Sequence, residues 1–285
     1  EFCESPEEVD LLLYPRLGAV AEAAWSMPIV KRWERFLGMM DTYQERWLAK
    51  GIKPSSAIYN VQHEVVPNFG DVKVTLNSIS PDVEIRYTTD GSEPHAHAWL
   101  YRRPWLVKQS QTLKCAAFKD GKQMGQTLVL PIQMNGITGK NILRSNVVEK
   151  RLVNGVRGSL KNTDGEWSSW TKNDSIALTF DMGIRKKMSH VSVGYLNDYG
   201  LAIHKPAKVE IWLSDNEVHY WKVAERKFGK ADIFSQGRFI KDLDFRFDDV
   251  ARYVRIIIKG AGKCSALHVR PGLEAQVYLD EVLIE

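Results

Sequence analysis

DVKVTLNSISPDVEIRYTTDGSEP, residues 71–94, is where the rhythm of the chain turns to period two. Val72, Val74 and Leu76 alternate with polar residues, and Val83, Ile85 and Tyr87 do so again, as half-buried strands require. TLKCAAF, residues 112–118, repeats the pattern through Leu113, Cys115 and Ala117. Turn residues separate these runs: 77–82, then Asp90-Gly91, then Asp120-Gly121. Asp-Gly between strands is a hairpin signal because glycine accepts positive φ at no steric cost. Roughly four to six short strands over about eighty residues predict a compact, immunoglobulin-like antiparallel sandwich, placed here at residues 56–134.

Upstream, the period is helical. Ser5 is suited to an N-cap, Pro6 to the first helical position, where its missing N–H costs nothing, and Glu8 completes an S-x-x-E capping box. Leu13, Leu17, Val20, Ala21 and Ala24 recur at helical steps, with a break expected near Pro15. Beyond Ser26 and Pro28, a second helical stretch aligns Trp33, Phe36, Leu37, Met40, Tyr43 and Trp47 on one face and stops at Gly51. An apolar face this wide needs a partner surface. Residues 1–55 therefore read as the closing elements of a larger core.

Downstream, residues 135–285 return to strands. SIALTF at 175, SHVSVGY at 189, AKVEIWLS at 207, residues 252–259 and residues 275–284 carry apolar β-formers at intervals. This predicts a second sandwich of jelly-roll type. Sandwiches display binding residues on the loops at their ends. Tyr199, His204 and Trp170 lie in or beside such loops, and aromatic faces stack on the C–H face of a sugar ring. Asn197, Asp198 and Arg270 can bond hydroxyls, whereas Trp167 reads as a core plug. Leu152 and Asn154, with Glu281 near the end of the chain, offer oxygen ligands of the kind a structural calcium takes.

Composition excludes other classes. A net charge of +4 spread over 39 basic and 35 acidic residues argues against nucleic acid, whose binders concentrate Lys and Arg on one face. The basic run Arg185, Lys186 and Lys187 reads as a solvated turn after Gly183. Three distant cysteines make neither a disulfide framework nor a C-x-x-C metal site, and Cys115 reads as a core residue. His95 and His97 have no third ligand near in sequence. No stretch approaches the ~20 apolar residues of a membrane helix.

Three motifs resemble known families. YPRLGAVAEAAWS, residues 14–26, with the Trp33 and Phe36 helix and Gly51-Ile52 behind it, resembles the end of the TIM barrel of family 20 glycoside hydrolases, the exo-β-N-acetylhexosaminidases. YTTDGSEP, residues 87–94, with Tyr101 and Pro104, resembles the chitobiase/hexosaminidase C-terminal sandwich. LVNGVRGS (152–159) with Trp167 and Trp170, the P-x-x-V-E-I-x-x-S pattern at 206–214, YVRI at 253 and Asp280-Glu281 are similar to the discoidin-like domain.

The resemblance implies a mainly β fold: two sandwiches, immunoglobulin-like and then discoidin-like, preceded by a short helical remnant of a barrel. It implies a C-terminal accessory region without catalytic residues of its own. In that family the substrate's 2-acetamido oxygen attacks the anomeric carbon, and an adjacent Asp-Glu pair on a barrel strand orients it and supplies the acid. Here that pair would lie upstream, and Asp280-Glu281, in a terminal strand, is not expected to replace it. Glu1-Phe2 sits where the family's W-x-E-F/Y motif ends, which makes Glu1 a candidate substrate ligand. The implied partners are N-acetylhexosamine-containing glycans and an upstream catalytic barrel, the implied location is outside the cytoplasm, and a calcium ion is the one cofactor in view. The family's loop calcium site commonly has Asp where this chain has Asn154. Two other readings stay open: a stand-alone glycan-binding or adhesion sandwich, and a protein-interaction sandwich unrelated to sugar.

Overall fold

The computed structural model describes residues 3–145, 150–171 and 175–285. It is mainly β, with antiparallel sheets and a short helical region at the N-terminal end. By density of contacts the chain divides into two compact units: residues 1–64, 75–103 and 112–130, and residues 65–74, 104–111 and 131–285.

The first unit opens on helices α1 (Pro6–Leu13), α2 (Arg16–Trp25) and α3 (Trp33–Ala49). The Ser5 side chain accepts the Glu8 N–H at 3.2 Å, which satisfies one orphan donor of the first turn, and the Glu8 carboxylate accepts the N–H of Glu4, the residue before the cap, at 2.8 Å. The chain breaks at Pro15, as the missing N–H requires. Phe36, Leu37 and Met40 of α3 are buried, whereas Trp25 and Ile29 are about nine-tenths and four-fifths exposed. Gly51 ends α3 with φ +78°, its neighbour Ile52 bonding back to the Trp47 carbonyl.

Next in the chain come strands β1 (Gln62–Asn68), β2 (Asp71–Asn77), β3 (Glu84–Thr88), β4 (Trp99–Leu100), β5 (Trp105–Val107), β6 (Gln111–Lys119), β7 (Lys122–Gln123) and β8 (Leu128–Ile132). They form a three-stranded sheet, β1-β2-β5, and a five-stranded one in which β3 lies between β4 and β6 and β6 also pairs with β7 and β8. The alternation read in the sequence is the burial pattern: Val72, Val74 and Leu76 are buried, as are Leu113, Cys115 and Ala117. Asp120 (φ +49°) and Gly121 (φ +76°) make the two-residue hairpin between β6 and β7.

In the second unit β9 (Arg144–Ser145), β10 (Ser168–Trp170), β11 (Ser175–Asp198), β12 (Lys208–Ser214), β13 (Trp221–Lys227), β14 (Arg238–Lys259) and β15 (Val277–Ile284) form a seven-stranded antiparallel sheet. The sequence suggested two separate strands where β11 is one of 24 residues. It breaks register against β14 between Asp181 and Lys186, where Arg252 clamps Asp181 through two bonds of 2.9 and 2.8 Å. Residues from both sides of that break, Leu178 and Phe180 before it and Val191 and Val193 after it, bury into one core. The basic run expected in a turn lies within β11 instead. Lys186 and Lys187 pair in register with Ala251 and Val250 of β14, while Arg185 pairs with Asp215 at 2.8 Å and Lys187 with Asp248 at 3.0 Å.

Candidate functional site

One end of the second unit gathers aromatic and imidazole rings from four segments. β11 ends in Asn197 and Asp198, and the Asp198 carboxylate accepts the Leu201 N–H at 3.1 Å, which caps the single turn holding Tyr199. The next loop carries His204, whose N–H bonds the Gln276 carbonyl. Phe234 follows the short helix α4 (Lys230–Ile233), and the loop between β14 and β15 brings Cys264 and His268. The rings of Tyr199 and His268 lie 4.1 Å apart, those of His204 and Phe234 5.0 Å, and those of His204 and His268 5.1 Å.

Hydrogen bonds give this cluster a direction. The Arg270 N–H donates to His268 Nδ1 at 2.9 Å, so the neutral ring of His268 carries its proton on Nε2. His268 Nε2 lies 3.0 Å from His204 Nε2, which accepts, and His204 Nδ1–H then faces Asn197 Oδ1 at 3.4 Å. Asn197 closes the chain by donating to the carbonyls of Ser235 and Gly237. Burial holds His204 down to about 4, with His268 beside it as the next cause, and burial also lowers His268.

The side-chain ligand atoms of His204, Cys264 and His268 lie within 4.8 Å of one another. With Nδ1 of His268 engaged by the Arg270 N–H, Nε2 is the ring nitrogen that faces His204. Burial pushes the Cys264 thiol up. The arrangement packs His268 against the ring of Tyr199 and backs it with His204.

The residues proposed from sequence for sugar contact separate into two groups. Tyr199 is half-buried and Arg270 exposed at this end of the unit. His204 and Asn197 are buried, contrary to their reading as surface ligands, because the loops around 234 and 268 close over them. Trp170 lies on β10, paired with Val277, and packs half-buried against the core. Trp167 is buried with its indole N–H on the Ser159 carbonyl, as a core plug should be. His268, Cys264 and Phe234 were missed. Of these only His268 lies in the loop from Ser265 to Gly272, and position alone does not say what a loop packs on.

The proposed calcium ligands are brought together but are already engaged. Glu281 accepts the Gly155 N–H at 3.0 Å and the Asn135 amide at 3.1 Å. Asn154 accepts the Val156 N–H through Oδ1 and turns its amide to Glu166 and the Val65 carbonyl. N–H groups thus face the oxygens a cation would need, a poor fit to the six or more oxygen ligands of roughly spherical calcium. Burial holds the Glu281 carboxyl well above its ordinary range. Its neighbour Asp280 binds Arg157 at 2.7 Å and the Gly158 N–H, a structural clamp inside the strand. Glu1 lies outside the described residues.

Residues 68–129 match the family model described as the chitobiase/beta-hexosaminidase C-terminal domain. No curated protein matches the chain. Among solved structures, the chain is similar to the C-terminal domain of a chitobiase from Bacteroides fragilis, at 13% identity over 48% of this chain and 78% of that one, with a TM-score of 0.31. It is also similar to chitosan-binding module 1 of a chitosanase/glucanase from Paenibacillus sp. IK-5, at 14% identity over 53% and 98% with a TM-score of 0.33. A third is the family 32 carbohydrate-binding module of Streptococcus pneumoniae EndoD, at 9% identity over 53% and 98%, TM-score 0.37. Likenesses at these scores carry no argument about function. No helix among the described residues is long and apolar enough to cross a membrane.

Proposed function

We propose that this chain is the C-terminal accessory region of an exo-β-N-acetylhexosaminidase acting outside the cytoplasm, organised as residues 1–55, 56–134 and 135–285. The observation that carries the reading is the match of residues 68–129 to the chitobiase/β-hexosaminidase C-terminal family. In this reading the helices complete an upstream barrel that holds the catalytic Asp-Glu pair, and the second sandwich holds N-acetylhexosamine-containing glycans for it. Tyr199 supplies a ring held against His268, and the exposed Arg270 supplies donors for hydroxyls.

A glycan array on the whole chain, followed by calorimetry with the best glycan, tests it. Tyr199→Ala and Arg270→Ala are each expected to weaken binding by about tenfold, the worth of a stacked ring or a charged hydrogen bond. Absence of any glycan bound through these two residues makes the second sandwich a spacer. Encoding sequence upstream that lacks an Asp-Glu pair on a barrel strand removes the enzyme parent.

A further inference from the structure

The first unit carries a groove of about 370 Å³ beside β3 and β4, lined by Tyr87, Asp90, Ser92, His95, His97 and Trp99 among others. Trp99 is 74% exposed, although a cross-strand neighbour, Tyr87, stands opposite it in register. The two rings meet edge to face at 6.1 Å, so Tyr87 steadies the indole from one side and leaves most of it to solvent. Single exposed apolar residues are ordinary; a large aromatic held in place at the lip of a polar groove is a binding feature.

The groove is built in advance. Arg86, itself paired with Glu84 at 2.6 Å, donates to the Ala98 carbonyl and pins the backbone next to Trp99. The Ala98 N–H closes a turn onto the His95 carbonyl at 2.8 Å, and Thr88 Oγ1 donates to the Ser92 carbonyl. Asp90 accepts both the N–H and the hydroxyl of Ser92, at 3.0 and 2.6 Å, which fixes its carboxylate and holds it below the usual range. His95 accepts the His97 N–H at Nδ1, so its neutral ring presents Nε2–H as a donor. The groove therefore offers an ionised acceptor, an imidazole donor and a flat apolar face, with ordering costs already met by its own hydrogen bonds.

We propose that this groove is a pyranoside-binding site, with the C–H face of one sugar ring on the Trp99 indole and adjacent hydroxyls divided between Asp90 and the His95 and His97 imidazoles. Its volume suits one or two sugar residues. A carboxylate at the wall disfavours phosphorylated or acidic ligands and accepts hydroxyl or ammonium groups alike, so neutral and amino sugars share the recognition chemistry. The inference is independent of the role proposed for Tyr199 and Arg270 in the second unit.

The test is an NMR titration of the whole chain, following the indole N–H signal assigned to Trp99 by its loss in Trp99→Phe. The probes are the disaccharides of N-acetylglucosamine and of glucosamine, at millimolar concentration. A saturable shift with either supports the site, and the one that shifts it names the sugar class. Trp99→Ala and Asp90→Asn are each expected to weaken that binding by about tenfold, and Tyr199→Ala to leave it unchanged. Circular dichroism melting confirms that the variants fold; Trp99 is exposed enough that its removal takes little from the core. No shift with either sugar, or a shift that survives both substitutions, overturns the proposal. Loss of the shift in Tyr199→Ala also overturns it, by moving the bound sugar to the other unit.

Discussion

At the residue scale, the decisive pair is His204 and His268. Both stay neutral in the fold because the bond chain from the Arg270 N–H to Asn197 uses every ring nitrogen once, as donor or acceptor. Protonating either ring sets two N–H groups against each other. His204 titrates at about 4 in the fold against an ordinary 6.5, so the native state binds fewer protons than the unfolded chain in that interval. The contribution is whole above pH 6.5 and is lost as pH falls toward 4. Unfolding free energies from urea titrations at pH 7 and pH 4 are expected to differ by on the order of 2 kcal/mol more in the parent protein than in His204→Leu. Equal slopes would show that the histidine pair is not what responds to acid.

At the element scale, turns and close approaches make different demands on glycine. Gly121 sits in the β6–β7 hairpin at φ +76°, and Gly121→Ala is expected to cost about 1 kcal/mol in a denaturant titration. Gly194 lies within β11 at an ordinary φ, but a Cβ there would meet the Asp280 carboxylate at 2.0 Å. Gly194→Ala therefore has to displace the Asp280–Arg157 clamp, and about 3 kcal/mol is expected, the range reported for disrupting a buried ionic network. The first glycine was legible as Asp-Gly between alternating runs. The second was not, because nothing local marks a residue that Asp280, far along the chain, will press against.

At the scale of the whole molecule, the accessory reading proposed above predicts no turnover by this polypeptide. Its one Asp-Glu dipeptide is buried in β15, Asp280 on Arg157 and Glu281 on Gly155 and Asn135, where neither carboxyl meets a substrate. A chromogenic aryl N-acetylglucosaminide should stay intact with this polypeptide at any pH between 4 and 8, the span in which a carboxylate pair works; release of the phenol above the uncatalysed rate would refute the accessory reading.

The amino-acid order by itself determined the elements. Helical period with a capping box set the opening helices, period two set the strands, Asp120-Gly121 set a hairpin, and the stretch around residues 87–94 marked the family that residues 68–129 match. These signals are carried by neighbours in the chain, so they can be read without the fold. Tertiary structure decided which candidates are surface. It closed loops from residues 234 and 268 over His204 and Asn197, turned the basic run at 185–187 into strand, drew Trp170 onto the core and left Trp99 standing beside a polar groove. The reason is physical: a side chain's exposure is set by segments that arrive from far along the chain, and a local pattern contains no term for them.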